Sequence, residues 1–244
     1  MKNELKNVIK KSFYRIGWDV SKVNKIPQTD FDVDREFHEQ YEKAMDATND
    51  RDTDNLLKRQ RHHTLYNLLK KADIHAGQFA ECGCFRGLSA YQTAAYLQEK
   101  GFKNTFYIFD SFEGLSEYEE KDLPGGQIDI EQRRKHFSCS LETVQNNLRE
   151  FLFIRYEKGW IPKRFSQVAD ETFAFVHIDV DMYQPIKDSL EFFYPRVVEN
   201  GIIVFDDYGC LAFPGAKKAV DEFMKDKNDL FLPLPSGEAF LVKR

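Results

Sequence analysis

Apolar positions along the chain follow two rhythms. Short runs rich in β-branched and aromatic residues read as strands: GQFAECG (77–83), TFYIFDS (105–111), FLFIRYEKG (151–159), FAFVHIDVD (173–181), GIIVFDDYG (201–209) and EAFLVKR (238–244). Between them, GLSAYQTAAYLQEKG (87–101), Ser140 through Phe151, PIKDSLEFFYPRVV (185–198) and AKKAVDEFMKDK (216–227) read as helices. Ile186, Leu190, Phe193 and Val197 make one apolar stripe, as a helix lying on a sheet requires, and Ser140 and Thr143 are candidate caps. Strands alternating with helices predict an α/β fold, a mostly parallel sheet with helices on both faces.

The flanking segments carry less pattern. In residues 1–26, Leu5, Val8, Ile9, Phe13 and Ile16 fall at helical spacing with lysines between them, and Pro27 ends the segment. Such a basic amphipathic arm packs on its own domain or on a second subunit, which favours a homodimer; weak contact with an anionic membrane surface is the alternative. Residues 28–52 are polar and read as a connector with one helix. The stretch 52–74 (DTDNLLKRQRHHTLYNLLKKADI) predicts a helix with an acidic start and a basic middle. His62 and His63 are adjacent there, point in different directions and are expected at the surface. Residues 113–136 are polar, contain Pro124-Gly125-Gly126 and are not expected in the core.

Composition narrows the class. Among 244 residues, 22 Phe and 11 Tyr supply bulk for one sizeable core. Charged residues at 31% and a mean hydropathy of -0.57 predict a soluble protein, with cytoplasm as the expected location. No apolar run approaches the ~20 residues needed to cross a bilayer. The formal net charge of -5 argues against a nucleic-acid partner, because phosphate neutralisation needs a basic surface. Cys82, Cys84, Cys139 and Cys210 match neither a disulfide framework nor paired zinc knuckles and read as free thiols.

The candidate chemistry gathers where strands end. In a parallel sheet, ligands bind outside the carboxyl ends of the strands. Glu81 and Gly83, Asp110, Asp179 and Asp181, and Asp206 and Asp207 all fall at such ends. In E-C-G-C-F-R-G (81–87), Gly83 and Gly87 bracket a turn where missing side chains let a ligand approach the backbone. Phe85 stands where a dinucleotide fingerprint needs its middle glycine. A carboxylate before the turn repels phosphate yet suits an ammonium, and S-adenosylmethionine has an ammonium and no phosphate. Asp110 suits the two hydroxyls of a ribose. In H-I-D-V-D-M-Y (177–183) and F-D-D-Y-G (205–209), carboxylates placed this closely resist ionisation unless a cation sits among them. Oxygen-only ligands suit Mg2+ or Mn2+. His177 either orients a carboxylate or packs in the core.

These segments carry a resemblance. AECGCFRGLSA, FDSFEGL, FSCSLETVQNNL, KGW, HIDVDMYQPIKDSLEFFYPRV and GIIVFDDYG, followed by GAKKAVDEF, resemble the macrocin O-methyltransferase family from about residue 55 to the C-terminus. The resemblance implies a class I methyltransferase fold of seven strands spanning residues 53–244, preceded by the arm and connector of 1–52. It also implies S-adenosylmethionine and Mg2+ as cofactors and a sugar hydroxyl of a secondary metabolite or surface glycan as acceptor. Asp179, Asp206 and Asp207 match its metal ligands and Asp181 its general base. Glu81, Gly83, Asp110 and Ser111 match the cofactor site and Trp160 the aromatic position near the adenine. Cys84, Gly87, Ser89, Phe112 and Asp179 complete the expected cofactor set. Residues 113–136 correspond to a lid over the acceptor. The chain departs from the family's usual pattern at Val180 and at Gln184-Pro185-Ile186, which border the acceptor pocket. A catechol-type O-methyltransferase shares the fold and metal chemistry. A metal-dependent glycosyltransferase using D-V-D (179–181), or a non-catalytic binding protein of this fold, are the readings from other classes.

Overall fold

A computed structural model describes residues 29–124 and 129–244 of the protein. The chain divides into two units, Met1–Asp34 and Arg35–Arg244. The described part of the first holds a one-turn helix, Asp30–Val33, capped by Thr29, whose N–H and hydroxyl donate to Asp32 (2.8 and 2.7 Å). The amphipathic arm expected over 1–26 lies outside the described residues.

The second unit contains strands β1 (Gln78–Cys82), β2 (Phe106–Asp110), β3 (Ile154–Lys158), β4 (Phe173–Ile178), β5 (Val197–Phe205), β6 (Leu230–Pro233) and β7 (Ala239–Val242). They form one sheet in the order β3-β2-β1-β4-β5-β7-β6. β1 to β5 are parallel, and β7 runs antiparallel to both β5 and β6. All of β4 is buried, which is why its sequence is a continuous apolar run rather than an alternating one. β6 escaped the sequence reading. Its LFLP is mostly exposed, lies at the sheet's edge and ends in a proline that an edge strand tolerates.

Seven helices accompany the sheet among the described residues of this unit: α1 (Arg35–Thr48), α2 (Leu56–Leu69), α3 (Leu88–Glu99), α4 (Ile130–His136), α5 (Leu141–Asn147), α6 (Tyr183–Phe193) and α7 (Pro214–Met224). The polar connector expected over 28–52 is mostly α1, which buries Phe37, Tyr41, Ala44 and Met45 against α2 and α3. This is the one helix expected in that connector, and its apolar positions recur at helical spacing. Residues 113–136 also contribute more than a polar loop. They contain α4, and they bury Leu115 and Asp122. β5 starts at Val197, earlier than expected, and stops at Phe205, so that Asp206 through Gly209 form a turn. Phe173, Val176 and Phe205 of the central strands pack with Leu190, Phe193 and Val220 in the core under α6 and α7. The carboxyl ends of β1, β2, β4 and β5 all lie on one edge.

Candidate active site

That edge opens into a cavity of ≈ 570 Å³, within the ~300–1,000 Å³ usual for small-molecule sites. Strand ends supply one wall, and α2 supplies another through Lys58, Arg61, His62 and Leu65.

On the first side, β1 passes through Gly83 and Gly87 into α3. A Cβ on Gly83 would sit 1.8 Å from the Asp179 carbonyl oxygen, and φ there is +81°. The glycine is therefore demanded by two strand-end loops touching, not by a ligand approaching its backbone. Gly87, at φ +90°, starts α3 and stays out of the cavity wall. Asp110 ends β2, and its carboxylate accepts the Cys84 N–H (2.8 Å) and the Phe112 N–H (2.6 Å). One side chain thus ties the β1 turn to the β2 loop. Gly83, Cys84, Ser89, Asp110, Ser111, Trp160 and Asp179 line the cavity, as expected of a common site. Glu81 and Phe112 do not: Phe112 is packed inward, and Glu81 is buried, accepting from Nδ1 of His177 (2.9 Å). One Glu81 oxygen is thus taken by an imidazole, while its Oε2 is buried with no hydrogen-bond partner.

On the second side stand the carboxylates. Atoms of Asp179, Asp181 and Asp207 lie within 4.8 Å of one another, and so do atoms of His177, Asp179 and Asp206. The set read from sequence (Asp179, Asp206, Asp207) therefore splits. Asp179 belongs to both groups, while Asp206 turns toward His177 and pairs with Arg61. Arg61 also lies 3.6 Å from Asp207. Burial, then the charge of Asp207, pushes Asp179 up to about 7. Burial and the charges of Asp207 and Asp179 hold the Asp181 carboxyl well above the usual carboxylate range. Burial raises Asp207 as well, against the pull of Arg61. For His177, burial opposes the charged ring, but the Glu81 hydrogen bond and charge outweigh it and raise its pKa.

This constellation fits a hard divalent ion. Its donors around Asp179, Asp181 and Asp207 are all oxygens, and Asp207 Oδ2 is buried with no hydrogen-bond partner. A cation there offsets the mutual repulsion that otherwise forces protons onto the group.

Several residues at the site were not read from sequence. The sequence places Lys58 and Arg61 in the basic middle of a helix and His62 at its surface. Their spacing with Leu65 (58, 61, 62, 65) marks a single face, and in the structure that face lines the cavity. His62 Nδ1 pairs with Gln92 Oε1 (2.6 Å), and burial pushes its pKa down to about 3, so the ring is neutral. His63 is buried against Phe37, which corrects the surface placement of both histidines. Asp50, fully buried, pairs with Lys58 (2.5 Å) and Arg86 (3.3 Å) at the cavity's edge. Glu238, on the turn before β7, accepts from Ser236 (2.7 Å), and burial pushes it up to about 7. Nothing in a lone glutamate near the C-terminus pointed to this place. The four cysteines are free, as expected. No helix among the described residues is long and apolar enough to cross a membrane.

The chain is 28% identical over 153 residues to the demethyldecarbamoylnovobiocin O-methyltransferase of Streptomyces niveus, covering 60% of this chain and 58% of that protein. It is 25% identical over 158 residues to the 8-demethyl-8-(2,3-dimethoxy-alpha-L-rhamnosyl)-tetracenomycin-C 4'-O-methyltransferase of Streptomyces olivaceus, covering 62% and 59%. The chain thus matches less than two thirds of the length of these curated relatives. Among solved structures, the O-methyltransferase NovP superimposes with a TM-score of 0.63 at 23% identity, covering 76% of this chain and 80% of its own. The calicheamicin methyltransferase CalS11 does so with a TM-score of 0.59 at 18% identity, covering 92% and 98%. At these identities both speak for the fold, a class I methyltransferase sheet. The sequence model of the macrocin O-methyltransferase (TylF) family matches residues 17–236, and the chain belongs to that family.

Proposed function

We propose that this protein transfers the methyl group of S-adenosylmethionine to a sugar hydroxyl, with Mg2+ or Mn2+ held chiefly by Asp179 and Asp207. One observation carries the reading: Asp179, Asp181 and Asp207 converge on the same cavity that Cys84, Asp110 and Trp160 line. The name of the Streptomyces olivaceus relative, a 4'-O-methyltransferase of a rhamnosyl tetracenomycin, supports a sugar acceptor on a secondary metabolite; a surface glycan presents the same hydroxyl chemistry.

When bound, the donor's sulfonium supplies an electrophilic methyl, and the ion acidifies and orients the acceptor hydroxyl. The chain's own residues do the rest. Asp110 keeps lone pairs free beyond its two backbone partners and accepts from the ribose. Trp160 lines the cavity and would pack against the adenine. Asp181, buried on the cavity wall beside Asp179 and Asp207, would take the proton from the acceptor. The electron pair left on oxygen forms the new bond to carbon, while the carbon–sulfur pair stays with sulfur. Residues 113–136 act as a lid, since Gly114, Leu115, Ser116, Glu117 and Glu119 face the cavity.

A glycosyltransferase reading is separable by equilibrium titration with S-adenosylhomocysteine and with uridine diphosphate. The account predicts saturable binding of the first and none of the second; the reverse result overturns it.

A further inference from the structure

We infer that a second metal ion binds beside the first, ligated by His177 Nε2 and Asp206, with Asp179 as the bridge between the two. The inference rests on the reading of the carboxylates as an ion site and adds to it a nitrogen ligand.

His177 sits on β4 opposite Glu81 of β1 in the strand register. Its Nδ1 donates to the Glu81 carboxylate at 2.9 Å, which leaves the lone pair on Nε2. That nitrogen is buried and has no hydrogen-bond partner. The whole residue is 3% exposed. The nearest acid is Asp206 Oδ1, at 3.8 Å, too far for a hydrogen bond. Yet ligand atoms of His177, Asp179 and Asp206 all fall within 4.8 Å of one another. A buried ring nitrogen with no hydrogen-bond partner, facing two carboxylates, is an arrangement a metal ion resolves. The carboxylate behind the ring is also typical, since metal-bound imidazoles are oriented by such a partner on their other nitrogen.

Charge points the same way. Arg61 pairs with Asp206 and lies 3.6 Å from Asp207, one fixed cation beside the four carboxylates of Asp179, Asp181, Asp206 and Asp207. The two ions share Asp179, consistent with the ~3.5–4 Å separation of two-metal sites. The donors differ, so the ions need not be alike. The all-oxygen position suits Mg2+, while an imidazole with carboxylates favours Mn2+, Fe2+, Co2+ or Zn2+.

The test uses the full-length protein, stripped with EDTA and titrated with Co2+ in the presence of S-adenosylhomocysteine. Bound cobalt is counted by elemental analysis. The proposal predicts two equivalents in the wild type and one in His177→Gln or Asp206→Asn. It also predicts, in the wild type, a hyperfine-shifted exchangeable proton from the ring N–H of a cobalt-bound histidine. That signal decides the matter if the variants fail to fold. One equivalent in the wild type without the shifted proton, or two equivalents retained in a folded His177→Gln, overturns the second site and leaves the first intact. No bound cobalt at all overturns both.

Discussion

The guanidinium of Arg61, on α2, pairs with the carboxylate of Asp206, 145 residues further along at the end of β5. It also donates to the Asp206 carbonyl (2.7 Å), so the helix before the sheet is fastened to the acidic edge of the sheet. The pair places a fixed cation beside the carboxylates proposed to hold a divalent one. Replacing Arg61 with Met leaves Asp206 unpaired in a half-buried setting. The ion-free variant should lose roughly 1–3 kcal/mol, the scale of a charge-assisted hydrogen bond. Its melting temperature should then rise more on adding Mg2+ than that of the wild type. Thermal melts with EDTA and with Mg2+ measure both effects.

The raised pKa of Asp179 sets a pH dependence. Burial and the Asp207 charge lift it from 3.8 to about 7. Between these values the folded state holds a proton that the unfolded chain has released, so stability falls as pH rises through the window. Melting in EDTA should therefore occur at lower temperature at pH 8 than at pH 5. The increment given by Mg2+ should grow over the same range, because the ion competes with protons for the same oxygens. An ion-free melting temperature that climbs toward pH 8 would speak against protonated carboxylates at this edge.

Asp181 is assigned the proton. Asp181→Asn keeps the shape of the side chain and removes its basicity. Turnover should fall about 10²–10⁴-fold, the usual contribution of a general base. Affinity for S-adenosylhomocysteine, measured by calorimetry, should stay near wild type, since the proposed donor contacts are those of Cys84, Asp110 and Trp160.

Gly83→Ala probes the join between the two halves of the site. The added methyl would meet the Asp179 carbonyl at 1.8 Å in a backbone conformation of φ +81°. The β4 loop must give way, at a cost of several kcal/mol typical of backbone strain combined with overpacking. A melting curve and a metal titration should both show the damage. Wild-type values in both would mean that the loops are not in contact.

Much of this was legible in the sequence because strand and helix rhythms differ and because ligands gather at the carboxyl ends of parallel strands. Asp110, Asp179, Asp181, Asp206 and Asp207 could be placed on one edge from order alone. What the sequence hid was direction and partnership. Asp206 and Asp207 are neighbours, yet their carboxylates serve different groups, a matter of how the turn after Phe205 is wound. Glu81 precedes a glycine turn but lies within β1, where alternation points it at His177 across the strand pair rather than into the cavity. His62 was expected at the surface because polar residues on a helix face water in most folds; here that face forms a cavity wall. α1 is the one helix expected in the connector, although its bounds were not read from the sequence.

The central claim is that a divalent ion sits between Asp179 and Asp207, facing the methyl donor. Anomalous diffraction at the manganese edge, from crystals grown with Mn2+ and S-adenosylhomocysteine, addresses it most directly. The account predicts a strong peak bridging those two carboxylates, on the side of the cavity toward the donor's sulfur. A cofactor-filled cavity with no peak there, and with the guanidinium of Arg61 neutralising both acids, would contradict it.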